Sequence, residues 1–199
     1  MGTAATRSPV LAALLGMAPA TPARSPSTDY PPWLLELLKK HQSAGMVDTL
    51  QALVGKPNFV QLPDQGKGGG QVGARFFGDA LGQPQMGLTP FLMANFDKPG
   101  RMYQSVADRL GVAAIPHEFG HMAVSTAGNV PLNEALLKEF PNALKDEQFA
   151  NDFSTAFQHL RTGEADLGKL KKNPRKIAEI LLTQPIYSQH AANAKKEKK

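Results

Sequence analysis

Five consecutive residues have the types and spacing to hold a metal ion and activate water: His117-Glu118-Phe119-Gly120-His121, the pattern HExxH. On a helix, positions four apart lie on one face, so both imidazoles can point at the same ion. Glu118 follows the first histidine directly and can reach a water on that ion without being a ligand, as a general base must. Gly120 would let another backbone pack closely against the helix. The pattern predicts a zinc site in which zinc lowers the pKa of water and Glu118 takes the proton.

A catalytic zinc needs a third protein ligand and an open fourth position. The extended pattern HExxHxxGxxH is absent, because Val124 and Ala127 stand where it requires Gly and His. The chain contains no cysteine, so the third ligand must be an acid or a histidine further along. Glu134 and Glu139 lie on the intervening predicted helix, where a solvated polar face is the simpler interpretation. The best candidate is Glu147, because of the segment that it begins, residues 147–153.

The residues that follow Glu147 read Gln-Phe-Ala-Asn-Asp-Phe. Together with HExxH they resemble gluzincin-type metallopeptidases, in which HExxH precedes E-x-x-A-(N/D)-x-F-A, as in the ImmA/IrrE-like and related families. The resemblance covers about 40 residues. It implies a zincin-like fold, Zn²⁺ as cofactor, His117, His121 and Glu147 as ligands, and Glu118 as base.

Three polar residues after Glu147 have candidate supporting roles. Asn151 stands where such families often have an Asp that orients a ligand histidine. An Asn oxygen can also accept that hydrogen bond, although Asp152 next to it could take the role instead. His159 lies 12 residues after Glu147 on the same predicted helix. It is interpreted as an exposed helical histidine, with donation to an oxyanion as the functional alternative.

The apolar pattern predicts an α+β, mainly helical fold in a single domain over residues 29–185. The resemblance implies that this domain is zincin-like, with a small sheet beside the HExxH helix. The predicted strand at 86–96 is the candidate to run beside that helix and pair with an extended substrate. The other predicted elements are a strand at 58–62 and helices at about 29–43, 46–54, 101–110, 131–140, 145–161 and 173–182.

The two ends have a different composition from the domain. Residues 1–28 are rich in Ala, Pro, Ser and Thr, which indicates a flexible arm, and Arg7 before the apolar stretch 9–18 gives it a weak likeness to a signal peptide. Residues 186–199 form a predicted basic tail. Residues 166–199 hold nine Lys or Arg against three acids but a single aromatic, Tyr187, which favours a solvated end over a specific nucleic-acid interface.

No apolar run is long enough for a transmembrane segment, so the chain is expected to be soluble, either cytoplasmic or virion-associated. The leading interpretation is a zinc metallopeptidase that hydrolyses peptide bonds in a protein or peptide substrate. One alternative is a structural or assembly protein of a large particle, for example a phage virion, with a zincin-like core, little or no turnover, and partners that order the terminal arms. A second alternative is a metallohydrolase acting on peptidoglycan or another amide.

Overall fold

The computed structural model describes residues 30–40, 44–63, 74–78, 84–90, 92, 113–161 and 166–187. These residues are mainly helical with a small three-stranded sheet, which confirms the predicted α+β, mainly helical class. The helices are α1 (Pro32–Lys40), α2 (Ala44–Val54), α3 (Ala114–Ala123), α4 (Val130–Glu139), α5 (Glu147–Arg161) and α6 (Lys172–Leu182); the strands are β1 (Asn58–Gln61), β2 (Ala74–Phe76) and β3 (Gln85–Leu88); 3₁₀ turns cover Ala143–Lys145 and Leu167–Lys169.

Proline and glycine set the limits of the first two helices. Pro32 occupies the first position of α1, where its fixed φ suits a helix and its missing N–H has no intrahelical partner to lose. Helix α2 ends at Val54, and the next residue, Gly55, has a φ of 128°, a left-handed value that favours glycine. Both ends agree with the predicted limits to within a few residues.

In the sheet, β3 lies between the other two strands. Strand β1 pairs with β3 in parallel and β2 pairs with it antiparallel, so Met86 of β3 lies opposite Phe59 on one side and Phe76 on the other. At Gly87 an added Cβ would come within 2.6 Å of the Leu62 side chain, which would have to move to make room for it. Strand β2 is therefore an edge strand, and its outer side faces helix α3.

The strand beside the HExxH helix is β2, which corrects the prediction of 86–96 for that place. The strand in the 86–96 region is β3, which ends at Leu88 and occupies the centre of the sheet; residues 93–96 lie outside the described part of the chain. After β3 the chain turns, with the backbone N–H of Leu92 donating to Thr89 Oγ1. Strand β2 has only three residues, too few to show the alternation by which a strand is recognised in sequence.

Helix α5 lies at the centre of the helical part, with α3 packed on one side and α6 on another. Its predicted apolar stripe is confirmed, because all four side chains are buried: Phe149, Phe153, Phe157 and Leu160. The core extends to Tyr187, two residues beyond the predicted end of the domain at 185. Burial raises the pKa of the Tyr187 phenol above its ordinary value.

Several predicted segments lie outside the described residues: the arm at 1–28, the helix at 101–110 and residues 188–199 of the basic tail. Within the described ranges, no helix has the length and apolar character needed to cross a bilayer.

Candidate metal centre

Helix α3 carries the whole HExxH segment. It begins at Ala114, and Pro116 falls in its first turn, where backbone N–H groups have no intrahelical acceptor and a proline is tolerated. At its other end, Asn133 of helix α4 donates through Nδ2 to the carbonyl oxygens of Ala123 and Ser125, at 3.1 and 3.0 Å. A side chain from the next helix thus bonds to the last carbonyl of α3 and to a carbonyl of the turn that follows it.

Both histidines of α3 meet the carboxylate of Glu147, the first residue of α5. His117 Nε2 lies 3.3 Å from Glu147 Oε2, and His121 Nε2 lies 3.4 Å from Glu147 Oε1. The two Nε2 atoms are 3.2 Å apart. His117 is buried, His121 is partly buried and Glu147 is exposed, so the group lies at the surface with one protected side. These three residues form a group that could hold a metal ion.

The spacing of the three residues suits a four-coordinate ion. Ligand bonds of about 2.0–2.1 Å at tetrahedral angles place neighbouring donor atoms about 3.3–3.4 Å apart. The two Nε2 atoms are 3.2 Å apart, and each lies 3.3 or 3.4 Å from a different oxygen of the Glu147 carboxylate. With one ligand atom from each residue, all three atoms lie within 4.8 Å of one another. Two imidazole nitrogens and one carboxylate are also a donor set used by catalytic zinc. The donor types are therefore ones that zinc accepts, in a group close enough to hold a metal ion.

Asn151 orients the first histidine. Its side-chain oxygen Oδ1 lies 3.0 Å from His117 Nδ1. An amide oxygen can only accept, so Nδ1 carries the proton and Nε2 presents its lone pair to the group. Asp152, the alternative for this role, instead accepts a hydrogen bond from Gln148 Nε2 at 2.9 Å. The contact that the sequence left open between these two residues is thus made by Asn151.

The start of α5 positions Glu147. Asp146 precedes the helix, and its Oδ1 accepts from the backbone N–H of Gln148 at 2.8 Å, as an N-cap does. Glu147 then occupies the first turn, where the helix dipole stabilises a negative charge. Its side chain is 67% exposed, so the protein alone holds this carboxylate less firmly than the histidines of α3.

The close approach of α3 and α5 depends on Gly120. A Cβ added there would lie 3.0 Å from Ala150 Cα and 3.1 Å from Phe153 Cβ. This is the close backbone packing predicted for Gly120. One turn further along α5, Ser154 Oγ donates to the carbonyl oxygen of Ala113 at 3.1 Å and joins α5 to the start of α3. Ser154 stands where the resembling families usually have Ala, and here its hydroxyl has a bonding role.

Glu118 is buried between α3 and the sheet, with 8% of its surface exposed. Its Oε2 accepts a hydrogen bond from the backbone N–H of Phe76, in strand β2, at 2.7 Å. Sequence reasoning missed this partner, since a backbone donor in a strand of three residues has no characteristic residue type.

Three other candidates lie away from the group. Glu134 is exposed on α4, and Glu139 pairs with Lys176 at 3.7 Å. His159 lies 12 residues beyond Glu147 on α5, which at about 1.5 Å per residue is about 18 Å along the helix axis. The structure therefore does not bring His159 into the site as an oxyanion donor.

Comparisons with protein-family models, with curated proteins and with solved structures find no match to this chain. A functional assignment therefore depends on the residues of the site and on their geometry.

Proposed function

We propose that this chain is a zinc-dependent metallopeptidase with a zincin-like site, in which Glu118 is the general base. The observation that carries the proposal is the meeting of His117 Nε2, His121 Nε2 and the Glu147 carboxylate, at separations of 3.2 to 3.4 Å. The buried carboxylate of Glu118 lies on the same helix, next to the first histidine.

The candidate ligands come from two helices, and the one on α5 is exposed. A bound zinc ion supplies a Lewis acid that lowers the pKa of water and polarises a carbonyl oxygen. His117 and His121 hold one side of the site from α3, while Glu147 closes the other from the exposed start of α5. The exposure of Glu147 is consistent with a substrate that approaches from solvent.

Glu118 supplies the proton transfers. As a carboxylate it accepts a proton from the attacking water, and the protonated acid then returns that proton to the nitrogen that leaves when the peptide bond breaks. No net proton is gained or lost by the protein.

The test compares the wild type with Glu118→Gln. Glutamine keeps the size of the side chain but cannot take the proton, so the rate of peptide hydrolysis should fall about 10²–10⁴-fold. Zinc content should stay at one ion per chain, because Glu118 is not a ligand. The measurements are metal analysis by mass spectrometry and cleavage of a library of peptides and unfolded proteins.

Two outcomes would overturn the proposal. Purified protein that takes up no zinc at a stoichiometric addition would show that the group is not a zinc site. Protein that binds zinc yet cleaves none of the substrates, with wild type and Glu118→Gln assembling equally with partner proteins, would favour the structural role in a large particle.

A further inference from the structure

Successive backbone N–H groups at the end of strand β2 donate to acceptors on opposite sides of the strand. On the inner side, the backbone N–H just after the strand, that of Phe77, donates to Gln85 O of β3 at 2.9 Å. The N–H of the preceding residue, Phe76, donates in another direction, to Glu118 Oε2 at 2.7 Å. This alternation follows from the pleat, which directs successive N–H groups of an edge strand to opposite sides.

We propose that the backbone N–H of Phe76 is a positioning group for the general base. It holds Oε2 and so helps to fix the orientation of the carboxylate that takes the proton from water. This inference rests on the proposed function and deepens it. It gives β2 a role in catalysis that no side chain of the strand performs.

Two physical arguments support this role. A hydrogen bond to a charged acceptor is stronger than a neutral one, and the contact at 2.7 Å is short. The terminal torsion of a glutamate is broad, so helix α3 alone would leave the Glu118 carboxylate several orientations. A donor fixed in a hydrogen-bonded sheet selects one of them.

The hydrogen bond can be tested without activity, by NMR of ¹⁵N-labelled, zinc-loaded protein. In Glu118→Gln the acceptor loses its charge, so the Phe76 amide proton should move upfield and exchange with solvent about tenfold faster or more. The Phe77 amide, which donates within the sheet, is the internal control and should keep its shift and protection. A Phe76 amide that does not respond to Glu118→Gln would overturn the proposal.

The catalytic consequence is tested with Phe76→Pro against Phe76→Ala. Proline removes the N–H and is accepted on an edge strand where that group points away from the sheet. Alanine removes the same aromatic ring and keeps the N–H. Relative to Phe76→Ala, we expect Phe76→Pro to lower kcat about 10–100-fold, the range for one hydrogen bond to a charged group, with KM and zinc content within twofold.

A double variant separates positioning from a structural effect. In Glu118→Gln the base is already lost, so adding Phe76→Pro should lower the residual rate no further than adding Phe76→Ala does. An equal loss in both backgrounds, or loss of Phe77 amide protection in Phe76→Pro, would mean that the strand itself is disturbed and would overturn the positioning role. If the wild type hydrolyses no substrate, the proposed function fails, and the NMR experiment alone decides whether Phe76 holds Glu118.

Discussion

The ligands of the candidate site come from two regions that differ in how they are held. On α3, His117 and His121 are four residues apart. The three residues between them, 118–120, are buried. On α5, Glu147 is the first helical residue and its side chain is 67% exposed. The first pair is positioned by the geometry of a single helix. The third ligand is positioned only by the way in which a second helix packs against the first.

The distance between the two imidazoles and the distance from Glu147 to the imidazoles therefore depend on different parts of the fold. Within α3 the spacing of the imidazoles follows from the helical repeat and survives small movements of the helix. The distance from Glu147 to either imidazole changes with every shift of α5. Gly120 lets the backbone of Ala150 approach α3, so we expect this contact to influence the distance from Glu147 to the imidazoles.

Removing a candidate ligand should lower zinc affinity more than any other change. The loss should be larger for a ligand on α3 than for the ligand on α5. His117→Ala removes a buried ligand and should abolish stoichiometric zinc binding. Glu147→Ala should weaken zinc by more than about 100-fold, because even the loss of a ligand's hydrogen-bond partner costs about 10–100-fold. Isothermal titration calorimetry of the metal-free variants measures both.

Glu134→Ala is the matched control, since it removes an exposed glutamate from the neighbouring helix α4 and should leave zinc affinity unchanged. If Glu147→Ala bound zinc as tightly as Glu134→Ala, α5 would supply no ligand, and the contrast between the helices would disappear.

The second prediction concerns the partner of His117. Asn151→Ala removes the acceptor at 3.0 Å from His117 Nδ1 and should lower zinc affinity about 10–100-fold. Asn151→Asp should restore the affinity or raise it above wild type, because a carboxylate makes the imidazole a more basic ligand.

Asp152→Ala serves as the control for Asn151→Ala. Its carboxylate bonds to Gln148 on the exposed side of α5, so its loss should leave zinc affinity within about twofold. Equal losses from Asn151→Ala and Asp152→Ala would mean that α5 acts through its general stability and not through one oriented hydrogen bond.

The third prediction tests the helix contact itself. Gly120→Ala adds a Cβ at 3.0 Å from Ala150 Cα, so the helices must separate, at a cost of about 1–3 kcal/mol in the free energy of unfolding. Zinc affinity should fall together with the free energy of unfolding, because Glu147 moves away from both imidazoles when the helices separate. Thermal unfolding with and without zinc gives both quantities.

Gly45→Ala is the matched glycine variant, because Gly45 also lies in a helix but has no atom within 4 Å of an added Cβ. That change should stabilise the protein by about 0.4–1 kcal/mol and leave zinc binding unchanged. A Gly120→Ala protein as stable as Gly45→Ala would show that the approach of α3 and α5 is not tight enough to set the third ligand.

Where local pattern was informative, the sequence predicted which residues come together at the candidate site. His117 and His121 were placed by their spacing, and Glu147 and Asn151 by a resemblance over a short segment. The buried stripe from Phe149 to Leu160 followed from its helical period. His159 shares the helix with Glu147, but the rise per residue carries it far from the ligands.

Relations within a single element can be predicted from the sequence, such as which face of a helix is apolar and which two histidines lie on one turn. A helix has one fixed repeat, so these relations follow from spacing alone. Relations between elements depend on how the elements pack together. In the folded chain Glu147 contacts both imidazoles, and Asn151 rather than Asp152 bonds to His117. Strand β2, and not the later strand that was predicted, lies beside the HExxH helix. Such contacts depend on how surfaces pack and on backbone groups. The backbone N–H that Phe76 donates to Glu118 is present in every residue type except proline, so the residue type does not reveal this contact.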